Sequence, residues 1–521
     1  MDTLLSRFSD KVNSIITGFD RIVFKGMIMP LMFSAGMTSF LIGRNILNKD
    51  FKNYAVAQSK VIIQSAEELA SSLNGYGITY IPSLHDRKEA LVRDRQKEIG
   101  VEEGLIGVWS CVESCNTYKS AYNPESKYPL LQNVRSKCKH LYYYFDDLIY
   151  GFMSVRLQTW APYEIQIALN GREWLRRSLD AVGCGYVVDG NKFLHIDDYD
   201  LAQRLLDGQV KMDFNKLLKG LLPTVFPRML EVVGSEHSYY WTFWQTEVAK
   251  DYIFKDGDEL GALMDDFQLH ALITGKGDRI LKYFGSPIRI DGQPYKNANP
   301  EIISRTNNWY DGLRVRHWNA GNSVKFYNEH NVLRFEMTMN NPAKFRIYRY
   351  SENQDKTEAK RLLPMRKGIA DAAARVEVSK TIINRLTEQM ATVKERTPLG
   401  ELIDQVGSPL VRNGKRVRAI DVFGKDRELL SAISDPVFSV GYITNKELRK
   451  SLEGTPWAKN MSDKQLSGRV TRHLALLRKH GLIKKLPNQR RYVLTDKGRK
   501  ITSALNAAIN ASVEQLLAKV S

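Results

Sequence analysis

Residues 462–500 read SDKQLSGRVTRHLALLRKHGLIKKLPNQRRYVLTDKGRK, and this stretch decides the fold of the C-terminal part of the chain. Ser462 and Gln465 form a capping-box pattern, which predicts the start of a helix that runs to His480. Gly481 then ends the helix. Four apolar side chains recur at helical spacing and predict one buried stripe: Leu466, Val470, Leu474 and Leu477.

Two short strands, at 482–486 and 491–494, follow this helix and are joined by a polar, basic tip at 487–490. Shorter helices are expected upstream, at 426–433 and 444–452, and a last helix after the hairpin. The order helix, helix, helix, hairpin, helix resembles the winged domains of MarR-like transcription regulators, and the run LTDKGRK is similar to theirs. The resemblance implies a winged helix-turn-helix that places one helix in the major groove of DNA.

Positive charge is concentrated in the same part of the chain. Residues 411–521 hold 23 Lys and Arg against 9 Asp and Glu, a net +14 out of the +18 of the whole chain. Such a basic domain predicts a polyanionic partner, here duplex DNA. The expected contacts are outward side chains of the long helix and basic side chains of the hairpin: Ser467, Arg469, Arg472, Lys479, Lys484, Lys485, Arg490 and Arg491. The alternatives are an RNA ligand, or a winged domain that binds protein and whose cations only face solvent.

The length of 521 residues, with 43% hydrophobic residues, predicts several domains with real cores. The predicted fold class is α+β and multi-domain: a mixed α/β, sandwich-like N-terminal body before the winged helix-turn-helix. The expected domains are an N-terminal α/β segment at 1–103, a palm-like α+β domain at 104–235, a strand-rich α+β domain at 236–350, a helical and basic linker at 351–418, and the winged domain at 419–521. The sequence shows no internal repeat.

Four cysteines in a chain of this length favour a reducing compartment over a disulfide scaffold. The N-terminal residues MDTLLSRFSDKVNS lack the apolar segment of a signal peptide. Residues 26–43 are uncharged and largely apolar, but Pro30 and Gly36 favour a buried strand-turn-helix over a membrane span. We therefore expect a cytoplasmic protein of bacterial type with no membrane partner.

A strand-rich block at 312–350 contains alternating polar residues. Lys325 and Tyr327 lie on one strand and Arg334 and Glu336 on the next, so a turn between them would put all four side chains on one polar face. This K-x-Y and L-R-x-E pair resembles a strand pair of plasmid and phage rolling-circle replication initiators. The resemblance implies that Tyr327 attacks a DNA phosphate and that Glu336 helps to hold a divalent cation. Lys325 and Arg334, the cations of the same face, are the candidate phosphate-binding residues. The alternative is a sheet whose polar face is solvated or only binds nucleic-acid backbone.

If the sheet carries out this chemistry, the expected cofactor is Mg²⁺ or Mn²⁺, because hard cations prefer oxygen ligands; otherwise no cofactor is expected. Glu336 is the first candidate ligand. Glu247 and Asp251 are the second, since their spacing of four in QTEVAKDYIF would place both on one helix face; a solvated helix face is the alternative. The chain has no His-hydrophobe-His triplet, so the histidine metal site of standard relaxases is excluded.

Two further clusters have structural and functional interpretations. Cys111, Cys115, Cys138 and His140 could close a tetrahedral zinc site, but buried small side chains explain them better. The aromatic run at 239–244 is expected in a strand that is buried on both sides, with base stacking as the alternative.

These features favour a DNA-binding protein of the mobile-element or plasmid type that recognises duplex DNA and nicks or processes it. One alternative is a non-enzymatic MarR-like regulator, a homodimer whose large N-terminal body serves as a sensor or oligomerisation unit. A second is an RNA-binding effector, and single-stranded DNA or RNA remains a further expected partner of the N-terminal body.

Overall fold

The computed structural model describes residues 2–73, 76–82, 88–125, 127–275, 277–285, 302–309, 312–351, 354–355, 357, 359–393, 399–412, 414–434, 438, 442–487 and 489–510. Its N-terminal body contains these strands: β1 Val12–Met27, β2 Thr79–Tyr80, β3 Gly104–Asn123, β4 Tyr128–Asp147, β5 Gly151–Gln158, β6 Ile165–Asn170, β7 Tyr186–Asp189, β8 Lys192–Ile196, β9 Tyr240–Phe254, β10 Ile302–Trp309, β11 Gly312–Asn319, β12 Asn322–Glu329, β13 Val332–Met339, β14 Arg346–Arg349 and β15 Arg361–Pro364. The helices of the body are α1 Thr3–Arg7, α2 Ser34–Ile42, α3 Phe51–Ser72, α4 Lys88–Ile99, α5 Gly171–Ala181, α6 Tyr199–Gln209, α7 Phe214–Val225, α8 Met229–Val233, α9 Gly257–Thr274, α10 Gly277–Tyr283 and α11 Ala372–Met390.

Within the described residues, eleven of these strands form one sheet in the order β10-β11-β12-β13-β9-β1-β6-β5-β4-β3-β2. Neighbouring strands are antiparallel except β2 and β3, which are parallel. The mixed sheet and its helices confirm the α+β class. The sheet and one continuous hydrophobic core run through the three ranges expected as separate domains, 1–103, 104–235 and 236–350.

The body is built from a repeated order of elements, although the sequence shows no repeat. In the first half β1 is followed by helices and by the meander β3-β4-β5-β6, whose last strand returns to pair with β1. In the second half β9 is followed by helices and by the meander β10-β11-β12-β13, whose last strand pairs with β9. The halves join along the antiparallel pair β1–β9 at the centre of the sheet.

The two faces of the sheet differ in polarity. On one face the apolar side chains of β12 and β13, Val324, Phe326, Leu333, Phe335 and Met337, enter the core that also includes residues of α3, α9 and α11. The intervening side chains project from the other face, as strand alternation requires. A smaller apolar cluster on that second face, including Val92 of α4, packs on β3 and β4 at the far end of the sheet. The second face, here called the polar face, carries polar side chains on β12 and β13. At the centre of the sheet it is covered by α5 and α6: Arg172 of α5 pairs with Asp251 of β9, and Leu206 of α6 lies against Gly18 of β1.

The C-terminal module begins with α12 Leu399–Gly407 and the strands β16 Leu410–Arg412 and β17 Lys415–Val417. It continues with α13 Arg427–Ile433, α14 Asn445–Leu452, α15 Asp463–Lys479, β18 Ile483–Lys485, β19 Tyr492–Leu494 and α16 Asp496–Asn510. Each helix and the hairpin predicted from the sequence is present, including the Ser462 capping box and a positive φ at Gly481. The module has its own hydrophobic core, which starts at Leu402 and so includes part of the range expected as linker. No helix in the described part of the chain is both long and apolar enough to cross a bilayer.

Candidate active site

Three carboxylates meet where β1, β9 and β13 lie side by side at the centre of the polar face. One oxygen from each of Asp20, Glu247 and Glu336 lies within 4.8 Å of the others. Asp20 comes from a register shift between Phe19 and Arg21, and such a β-bulge redirects the side chain of the extra residue. We call these three residues the carboxylate triad.

Lys325 and Tyr327 of β12 adjoin the triad. The ammonium of Lys325 lies 2.6 Å from one oxygen of Glu336, and the hydroxyl of Tyr327 donates to the other oxygen at 3.5 Å. The register pairs Lys325 directly with Glu336, so the polar face predicted from the sequence exists. All three side chains are buried.

Burial and neighbouring charge perturb the titration of this site. Burial raises the pKa of Glu247 to about 7, and the negative charge of Glu336 adds to the effect. Burial also raises the pKa of Tyr327 well above its usual value, although Arg334 opposes this. Clustered buried carboxylates of this kind are stabilised by a bound cation.

Arg334 lies beneath the triad instead of facing outward to a phosphate. Its guanidinium donates to both oxygens of Asp251, at 2.7 and 2.8 Å, to Asp20 at 2.9 Å and to the carbonyl of Asn191 at 2.8 Å. Arg172 adds a second ion pair to Asp251 at 2.9 Å. Arg334 and Asp251 therefore hold one another and orient Asp20, and neither is exposed to a ligand.

The expectation that Glu247 and Asp251 share a helix face is wrong, because both lie on β9. Residues four apart share a face in a strand as well as in a helix, so the spacing alone did not distinguish the two. Asp251 is separated from the triad by its ion pairs with Arg334 and Arg172.

The donor set of the triad fits a hard divalent cation. Carboxylate oxygens are the ligands that Mg²⁺ and Mn²⁺ prefer, and Asp20, Glu247 and Glu336 supply three of them. Glu336 and Glu247 were predicted as ligands from the sequence, but Asp20 was not, because its place beside β9 depends on a contact between distant parts of the chain.

The first half of the sheet has a counterpart of the Lys325–Glu336 pair in which an amide replaces the strand carboxylate. Arg156 of β5 is paired with Gln166 of β6, as Lys325 is with Glu336, and donates to Gln166 at 2.8 Å. Arg156 also contacts Glu113 at 3.3 Å and His140 at 3.1 Å. Among the described residues the cluster of three carboxylates thus has no equivalent here, where Glu113 is the acidic side chain beside Arg156.

Close to this counterpart, Cys115, Cys138 and His140 lie together and are buried. The two sulfurs are 2.7 Å apart, and His140 Nδ1 lies 3.2 Å from the carbonyl of Cys138. Cys111 does not belong to this group.

The aromatic run of β9 is one-sided, so the expected two-sided burial is wrong. Tyr239, Trp241 and Phe243 are buried, whereas Tyr240 and Trp244 are 53% and 43% exposed on the polar face. Trp244 stacks with the ammonium of Lys25 at 4.6 Å. This face therefore offers aromatic as well as charged side chains.

The predicted DNA contacts of the C-terminal module fall into two groups. Ser467 bonds to Asn445, and Arg469 lies over the ring of Trp457 at 4.1 Å while donating to its carbonyl at 2.9 Å. Both are therefore engaged within the module. The remaining predicted residues are exposed: Arg472, Lys479, Lys484, Lys485, Arg490 and Arg491.

Comparison with known proteins gives no relative from which a function can be transferred. The chain matches no protein-family model, and no curated protein or solved structure is significantly similar to it. The geometry of the site is therefore the basis for inferring a function.

Proposed function

We propose that this chain is a DNA-binding protein of the mobile-element or plasmid type that breaks one DNA strand in a reaction requiring Mg²⁺ or Mn²⁺. The observation that carries the proposal is the carboxylate triad with Tyr327 and Lys325 beside Glu336. A nucleophile, a cation and a set of metal ligands on one polar face are the parts that such a reaction needs.

In the proposed reaction the oxygen of Tyr327 forms a bond to a DNA phosphorus. One bridging P–O bond of the phosphodiester breaks, and its oxygen leaves as a hydroxyl after taking up a proton. Tyr327 loses its own proton, for which Glu336 is the hydrogen-bond acceptor at 3.5 Å. A cation held by the triad would stabilise charge on the attacked phosphate. The ammonium of Lys325, 2.6 Å from a Glu336 oxygen, adds a positive charge beside the triad.

The C-terminal module is proposed to be a winged helix-turn-helix that selects the duplex. Support comes from the element order, from the net charge of this region and from the exposed cations on α15 and the β18–β19 hairpin. Arg472 on α15 is the proposed base-reading or phosphate-gripping residue, and Lys484 and Lys485 are proposed backbone contacts.

The test is nicking of supercoiled plasmid by the full chain in Mg²⁺ or Mn²⁺. Glu336→Gln is expected to lower the rate by about two orders of magnitude or more while leaving duplex binding intact. Tyr327→Phe is expected to abolish a covalent protein–DNA adduct, which denaturing gels detect. Matched controls are Asp265→Asn on α9 and Tyr348→Phe on β14, whose side chains are exposed away from the triad.

A non-enzymatic, dimeric MarR-like regulator is the second candidate, and the burial of Tyr327, 4% exposed, favours it. A regulator would bind a palindromic duplex and leave the plasmid uncut in either metal. Plasmid nicking that persists unchanged in both Glu336→Gln and Tyr327→Phe would contradict the proposed chemistry.

A further inference from the structure

A row of cations crosses the outer strands of the sheet and ends at the carboxylate triad. Arg305 of β10 lies directly opposite Arg316 of β11, Arg316 lies opposite Lys325, and Lys325 lies opposite Glu336. Directly opposite residues in antiparallel strands project from the same face. The side chains therefore form a line from the exposed edge strand β10 to the triad.

The outer part of this row lacks an anionic partner in the described part of the chain. Arg305 and Arg316 contact the ring of Trp318, with guanidinium carbons 5.7 and 5.2 Å from its centre, and no carboxylate of the described residues pairs with either. Nε of Arg316 is buried without a hydrogen-bond partner among the described residues. Two like charges placed directly opposite destabilise a sheet, so this pairing favours a bound anion.

Aromatic rings alternate with these cations. Trp318 is half-exposed and pairs with Ser323, which puts it on the same face as the row. The guanidinium of Arg314 lies over the ring of Tyr327, 4.6 Å from its centre. Alternating cations and rings on an open sheet suit a single strand, whose bases can stack and whose phosphates can pair with arginine. A duplex hides its base faces and fits this surface less well.

We propose that Arg305, Arg316 and Trp318 form a binding track for single-stranded DNA that leads to Tyr327. The role of the track in delivering a strand to Tyr327 rests on the proposed function, but the binding of single-stranded DNA does not depend on any cleavage. Phosphates would lie along the arginine row, and one base would stack on Trp318 between the two guanidinium groups.

The test is fluorescence anisotropy of labelled oligodeoxythymidine of about 12 nucleotides with the full chain in EDTA, where no metal-dependent cleavage occurs. The double variant Arg305→Gln/Arg316→Gln is expected to bind about tenfold more weakly at about 0.1 M salt, with the log–log salt slope reduced by about 1.4, or about 0.7 for each lost phosphate contact. Trp318→Ala is expected to weaken binding about fivefold or more without changing that slope.

Two controls separate the track from general effects. Arg135→Gln removes an exposed arginine of β4 in the other half of the sheet and should bind as the wild type does. Arg316→Lys keeps the positive charge and should keep the salt slope. A normal slope in this variant would show that the loss in the double variant comes from the removed charge and not from misfolding.

Wild-type affinity in the double variant would overturn the proposal. A loss of duplex binding equal to the loss of single-strand binding would overturn it as well. Tighter binding of oligouridine than of oligodeoxythymidine, dependent on the same residues, would overturn it in favour of an RNA track. If the variants lose single-strand binding but the wild type never nicks DNA, the track stands and the proposed chemistry fails. If the protein nicks but the variants bind normally, only the track fails.

Discussion

Arg334 is a buried side chain that holds two carboxylates of the site region in place. It is 1% exposed, and its ion pairs neutralise Asp251 and Asp20, which are also buried. Removing one partner of a buried ion pair leaves an uncompensated charge, so Arg334→Gln is expected to destabilise the body by about 3–5 kcal/mol. Urea unfolding followed by far-ultraviolet circular dichroism measures this loss. Arg305→Gln, at an exposed arginine, should change the free energy of unfolding by less than about 0.5 kcal/mol.

Adding Asp251→Asn to Arg334→Gln should recover part of that loss, because Arg172 then has one buried carboxylate beside it instead of two. An Arg334→Gln variant that unfolds at the wild-type urea concentration would show that the pairing does not hold this region.

The site residues differ in how far the sequence could place them. Alternation of polar and apolar residues placed Lys325, Tyr327, Arg334 and Glu336 on one face, which the register of β12 and β13 confirms. The same alternation did not reveal that Arg334 is buried, because its depth depends on helices and strands far away in sequence. Asp20 was missed for a similar reason: it reaches the triad through a bulge in a pairing between β1 and β9.

Among the elements, α13 is preceded by the buried carboxylate of Asp426, which links this segment to Arg418 and to His473 of α15. Burial alone would raise the pKa of Asp426, but hydrogen bonds from Arg418, at 2.6 and 2.8 Å, and from His473 outweigh it and hold the pKa well below its usual range. A carboxylate with a lowered folded-state pKa stabilises the fold above its unfolded value of about 3.9 and loses that contribution as the pH falls further. The C-terminal module is thus expected to lose stability between about pH 5 and pH 2.

Pulsed hydrogen exchange after equilibration in urea at each pH measures this effect in peptides from α13 and α15. Asp426→Asn should be less stable than the wild type at neutral pH and should lack most of the loss on acidification. Asp463→Asn, at a carboxylate that is 86% exposed, is the matched control. An Asp426→Asn protein with the full wild-type pH dependence would assign the acid sensitivity to other carboxylates.

Local elements of the C-terminal module were more predictable than the body. The capping box of Ser462 and the spacing of apolar residues define α15 through contacts within a few turns, and the structure confirms both. The body depends on pairing between strands that are far apart in sequence. Individual strands could therefore be predicted, but their assembly into a single sheet with a repeated order could not. The β9 carboxylates illustrate this, since only the neighbours β1 and β13 establish that Glu247 lies in a strand.

For the whole molecule, the proposed division of labour is that the C-terminal module selects a duplex site and the sheet acts on one strand. Arg472→Ala should therefore weaken discrimination between duplex sites, with about 1–3 kcal/mol lost at the base it reads. Lys485→Ala should weaken binding to all duplexes alike and reduce the salt slope by about 1. Both side chains are exposed, so neither change should affect folding.

The combined prediction is that Arg472→Ala slows nicking of a plasmid that carries the preferred site but leaves cleavage of a short single-stranded oligonucleotide unchanged. The reason is that, on the proposed binding track, the oligonucleotide would reach Tyr327 along the sheet without contacting the module. The measurement is the cleavage rate on the plasmid and on the oligonucleotide, with the same protein preparation in Mg²⁺. Equal slowing on both substrates would mean that the module takes part in strand cleavage itself, and the separation of selection from chemistry would then have to be abandoned.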